Sequence, residues 1–107
     1  PTPPDRVTIA EAPPRGWAVL QGRIRAVESS TIGASPTYRA ELCDESGGLT
    51  LLFYGRRRID GMEPGTLVRV EGRVGERHGY LAMANPSYEL LPSDEAEPQP
   101  PPRSRRG

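Results

Sequence analysis

From Trp17 to Leu91 apolar and polar residues alternate with a period of two, rich in Val, Leu and Tyr and interrupted by glycine-bearing turns. That pattern predicts half-buried β-strands. Strand one is "WAVLQGRIRAV", Trp17 to Val27, and Gly22 in its middle predicts a bulge or sharp bend. "ESSTIGASP" reads as a polar loop of small residues, long enough to move. Strand two is Thr37 to Asp44, "ESGG" is a turn, and strand three is Leu49 to Tyr54. "GRRRIDGMEPG" is the only internal stretch with room for a helical turn. Ile59 and Met62 would share one face of it, and Pro64 and Gly65 would stop it. Strand four is "TLVRVEGRVG" and strand five "YLAMANPSYELL", joined by the short loop "ERHG". Ahead of strand one, Thr8 and Glu11 have capping-box spacing. Pro13 and Pro14 end that turn, which is expected to plug one end of the fold with Ile9.

Three strands, a short helix and two more strands is the element order of the all-β, five-stranded Greek-key barrel called the OB-fold. A β-sandwich would want about seven strands, and the long helices of an α/β sheet are missing. The segments "VLQGRIRAV", "AELCDESGGLTLLFY", "EPGTLVRVEGRV" and "LAMANPSYELL" carry a further likeness. Its best signals are the Asp-x-x-Gly turn from Asp44 to Gly47 and the "NPSYE" of Asn85 to Glu89. Over Thr8 to Leu91 the chain resembles the OB wedge domain of RecG-type branch-migrating DNA helicases, and still more the small stand-alone OB-fold proteins of actinobacteria. The resemblance implies a nucleic-acid-binding module in DNA repair or replication. This chain has no motor, so it would recognise a structure or recruit another protein.

At 107 residues the chain holds one domain at most. Residues 1–6 and the Pro/Arg-rich tail 92–107 have too little apolar surface to offset their ordering entropy and are expected to be disordered or polyproline-like. The domain is then 7–91. The 14 basic residues, all arginine, balance 14 acids, and Val7 to Leu91 carries ten of each. The broad positive field common in nucleic-acid-binding proteins is therefore absent, and any such binding must come from local patches. The single cysteine, Cys43, excludes an internal disulfide framework and a multi-cysteine zinc site. The chain shows neither an apolar run of about 18 residues nor an opening signal segment. A soluble cytoplasmic protein that does not enter membranes is the expectation.

Register decides which side chains are available. Burying the apolar set of each strand puts Leu42 opposite Leu51 and Ala40 opposite Phe53. Arg39 then stands opposite Tyr54, and Glu41 opposite Leu52. A one-residue slip would invert both faces. The outer face becomes Arg39, Glu41, Cys43, Thr50, Leu52 and Tyr54, the usual ligand face of an OB-fold. Tyr54 offers a ring for a base, Arg39 a partner for phosphate, and Leu52 an exposed apolar side chain. A cross-strand pair shielding the interior would explain Tyr54 and Arg39 equally well. Arg56 and Arg57 would extend this face, whereas Arg58 goes to solvent. A second cluster, Arg77, His78 and Tyr80, sits at the loop between strands four and five, where a merely solvated hairpin tip is the alternative. Trp17 is expected to bury its ring over one end of the barrel. Cross-strand ion pairs account for Arg23, Arg25, Arg69 and Arg73.

No catalytic constellation, phosphate-cradling loop or metal-ligand spacing is present, so neither enzyme activity nor a cofactor is expected. Two function classes remain. The first is a non-catalytic module binding single-stranded or branched DNA, or RNA, by stacking and arginine–phosphate contacts. The second is an interaction module for another protein or another copy of the chain, using the same face and the tail "PQPPPRSRRG".

Overall fold

The computed structural model describes residues 7–13, 15–32 and 35–92. The terminal segments expected to lack structure lie, apart from Pro92, outside the described residues. A 3₁₀ turn, Ile9–Glu11, precedes six strands: β1 (Gly16–Ile32), β2 (Ser35–Asp44), β3 (Gly47–Tyr54), β4 (Leu67–Arg77), β5 (Tyr80–Ala84) and β6 (Ser87–Leu91). The described residues form no α-helix. The spatial order is β1-β2-β3-β5-β4, and β4 returns to pair with β1, so five strands close into a ring. The β3–β5 contact is parallel and the other pairings are antiparallel, which makes the sheet mixed.

Closure rests on β1, which serves two neighbours. Gly16–Arg23 pairs with β4, and Arg23–Ile32 with β2. The strand must bend between the two. At Gly22 the backbone comes so close to the Cys43 carbonyl that a Cβ would collide with it. The expected bend is therefore at Gly22, but the bulge is not. The register shifts between Ile24 and Ala26, which leaves Arg25 as the extra residue.

The alternating apolar set fills the ring. Leu20, Ile24, Leu42, Leu51, Val68, Val70, Val74 and Met83 are essentially inaccessible, and no polar or charged side chain is buried among the described residues. The two ends are plugged by residues that the sequence singles out. Ile9, 2% exposed, lies at the Asp44–Gly47 end. Its turn is tied there by Ile9 N–H to the Asp44 carboxylate (2.9 Å) and Ala10 N–H to the Ser46 hydroxyl (2.9 Å). The Thr8 N–H reaches the Glu11 carboxylate at 3.2 Å, as a capping box requires. Ile59 and Met62 are buried in the same core, near the other end of β2, where the Tyr38 hydroxyl donates to the Met62 carbonyl at 2.9 Å.

Four expectations need correction. The segment between β3 and β4 is not helical. It is a series of turns, with Met62 N–H bonded to the Ile59 carbonyl and Thr66 N–H to that of Glu63. Gly55, Gly61 and Gly65 there have φ of 82°, 85° and 96°, outside helical space. The supposed loop after strand one is instead a continuation of β1 and β2 into a paired arm, Glu28 with Arg39 through Ile32 with Ser35. Strand five is two strands, because Asn85 turns left-handed (φ 49°) and Pro86 lacks the N–H a ladder needs. The β2–β3 register differs by two residues: Leu42 faces Leu49, Ala40 faces Leu51 and Arg39 faces Leu52.

Candidate functional site

A two-residue change of register leaves every side chain on its expected face, because the strand period is also two. Thr37, Arg39, Glu41 and Cys43 of β2, and Thr50, Leu52 and Tyr54 of β3, therefore share the outer surface. Two hairpins rise beside it. One is the β1–β2 arm, which sets Glu28 against Arg39 and Ser30 against Thr37. The other joins β4 to β5, with Arg77 paired to Tyr80 across a two-residue turn. His78 and Gly79 in that turn have φ of 49° and 87°. Positive φ at both centres is what a type I′ hairpin demands, and it gives the tip a defined shape.

Between these hairpins lies a cleft of about 230 Å³ lined by Glu28, Ser30, Thr37, Arg39, Leu52, Tyr54, Arg77, His78 and Tyr80. The fold thus brings two clusters, distant in the sequence, into one concavity. Tyr54 and Tyr80 remain 44% and 38% exposed, so both rings are accessible from solvent. Leu52 is the correction here: it is only 7% exposed and forms the floor. Tyr54 stands opposite Thr37, one outward position beyond the Arg39–Leu52 pair. Its backbone is fixed by Asn85, whose carboxamide oxygen accepts the Tyr54 N–H at 3.0 Å while the Asn85 N–H donates to the Leu52 carbonyl at 2.7 Å. The "NPSYE" stretch is thus the joint that locks the end of β5 to the end of β3.

The charge in this cleft is lightly held. Arg39 lies 3.8 Å from the Glu28 carboxylate, with both side chains substantially exposed, a pairing that contributes about 0–1 kcal/mol. Arg77 has no ion pair among the described residues. An incoming anion would meet two guanidiniums and displace at most one weak partner.

A second cleft, of about 550 Å³, adjoins the first and shares Tyr80 with it. Its charged lining is Arg25, Glu41, Asp44 and Glu45, and Thr50 lies here instead of in the smaller cleft. Arg25 is engaged by Glu41 at 3.4 Å. Burial alone would push the Asp44 carboxyl up. The Ser46 hydroxyl and the N–H groups of Ile9, Ser46 and Gly47 outweigh it and hold that carboxyl below the usual range. Asp44 is therefore a fixed negative charge and a structural knot.

The remaining candidates fall elsewhere. Arg56 and Arg57 are exposed on the β3–β4 connection and line neither cleft. Arg58 is in solvent, 3.7 Å from Asp60. Trp17 does not cover an end of the ring. It is 62% exposed on the outer side of β1, with its indole N–H donating to Glu71 at 2.7 Å. Sequence reasoning misses Glu28 and Ser30 as cleft residues because it ends strand one at Val27, and Thr37 because it begins the outer face of strand two at Arg39. Nothing in the polar run "ESST" signals a strand, because an arm exposed on both faces carries no apolar alternation.

Among the described residues no group of three His, Cys, Asp or Glu side chains could hold a metal ion. No helix there is long and apolar enough to cross a membrane. No known protein family matches the chain, and no curated protein matches it.

Proposed function

We propose that the closed ring is an OB-fold and that the smaller cleft binds nucleic acid, with single-stranded or branched DNA preferred to RNA. One observation carries the reading: Tyr54 and Tyr80, two accessible rings on adjoining elements, share one concavity with Arg39, Arg77 and His78. Aromatic faces accept any base, and each stacked base contributes about 1–3 kcal/mol. Guanidiniums beside the rings hold the phosphates that flank those bases. The ring order supports the OB assignment, since a cylinder closed through a parallel β3–β5 contact and a β1–β4 pairing is how such a fold removes its sheet edges. The ligand lies between the hairpins that follow strands one and four, the loops an OB-fold uses for oligonucleotides. The likeness to helicase wedge domains and actinobacterial OB-fold proteins fits this use. A gel shift with single-stranded, duplex and forked DNA and an RNA control tests it. Retardation of the single-stranded or forked probe at low salt is expected, and retardation of none would end the proposal.

A further inference from the structure

Resting on the nucleic-acid reading, we infer that the site accepts only a short tract, two or three nucleotides, and that the acidic half of the same face sets this limit. The outer residues of β2 run Thr37, Arg39, Glu41, Cys43, so charge reverses between neighbouring outward positions. On β3, Leu52 and Thr50 mark the same boundary, being the partners of Arg39 and Glu41. Tyr80 stands on the boundary itself, since it lines both clefts. On one side are Arg39 and Arg77, two tyrosine rings and a single acid, Glu28, 3.8 Å from Arg39. On the other are Glu41, Asp44 and Glu45, with Arg25 already engaged by Glu41.

A strand stacked on Tyr54 and Tyr80 places its flanking phosphates near Arg39 and Arg77. Continued along β2–β3, its next phosphate would enter the larger cleft. There it meets carboxylates, and Asp44 is kept ionised by four hydrogen bonds. Like charges at such range repel, and the partly enclosed surface weakens solvent screening. The larger cleft therefore turns the backbone away, even though it is the roomier of the two. A surface built this way suits a strand end, a gap or a branch point better than a continuous single strand.

Salt dependence reads the number of phosphates held, independently of how many registers a longer probe offers. Each contact on a single strand contributes about −0.7 to the slope of log K against log salt. Two contacts predict about −1.4 for a trinucleotide, and the same slope for a dodecamer. The double variant Glu41→Gln/Glu45→Gln removes two acids and releases Arg25. It should steepen the dodecamer slope by about one further contact, about 0.7, and leave the trinucleotide slope unchanged. A wild-type slope that grows with probe length to about −2.8 or steeper would overturn the length limit while leaving nucleic-acid binding intact. Absence of binding by probes of both lengths would overturn both.

Discussion

Arg39 of β2 stands directly across the sheet from Leu52 of β3. Leu52 is 7% exposed although it belongs to the outer face and not to the central core cluster. The guanidinium therefore lies beside an apolar floor, and an ion held over such a floor is less screened than one on an open surface. Leu52→Ala should lower unfolding free energy by about 2 kcal/mol, the low end for a buried leucine, since the cleft can partly rehydrate. Urea denaturation measures this; a loss below about 0.5 kcal/mol would mean that the floor is not packed.

Tyr54→Ala and Tyr80→Ala should each weaken binding of a single-stranded oligonucleotide by about 1–3 kcal/mol, about 5- to 150-fold. Far-UV circular dichroism should not change, because both rings are substantially exposed. Trp17→Ala, on the outer side of β1 and outside both clefts, should leave affinity within about twofold. Fluorescence anisotropy at low salt checks all three. Equal losses for Tyr54→Ala and Trp17→Ala would point away from the cleft.

Asp44 joins the Ile9 turn to the β2–β3 hairpin through one carboxylate. Its folded-state pKa is depressed, so its contribution is present above the unfolded value of about 3.9 and fades as pH falls through the folded one. Asp44→Ala should cost about 1–2 kcal/mol at pH 7. The gap to wild type should narrow as pH falls through the lowered folded-state value, where the wild-type carboxyl also takes up a proton. A gap independent of pH would show that charge is not what the knot uses.

Gly22→Ala places a methyl group against the Cys43 carbonyl at the bend of β1. Backbone on both sides cannot yield cheaply, so a loss of about 1–3 kcal/mol is expected. Gly75→Ala, where nothing lies within 4 Å of the added carbon, is the control. Thermal unfolding of the two variants should separate them clearly; equal melting temperatures would contradict the close approach.

These residues also show what could be read from the chain and what could not. Period-two alternation assigned the inner and outer faces of β2 and β3 correctly. It left the register open to a shift of two, which changes partners without changing faces. The choice turned on whether the β2–β3 turn holds four residues or two. Asp44 pairs with Gly47, so it holds two, and Tyr54 moves from Arg39 to Thr37. The Ile59–Met62 spacing correctly marked two buried residues but suggested a helix, which the left-handed glycines 55, 61 and 65 rule out. The convergence of Tyr54 with Tyr80 is a product of ring closure. The parallel β3–β5 contact and the β4–β5 hairpin together set Tyr80 beside the outer face of β3, and such a non-local pairing leaves no local mark in sequence.

The most direct test of the central claim is a ¹H–¹⁵N NMR titration of the protein with a short single-stranded DNA. Shifts concentrated on the amides and side chains of Arg39, Leu52, Tyr54, Arg77 and Tyr80, with the Trp17 indole N–H unmoved, are what the account predicts. A titration that moves the Trp17 and Glu71 signals while leaving the cleft residues in place would contradict it.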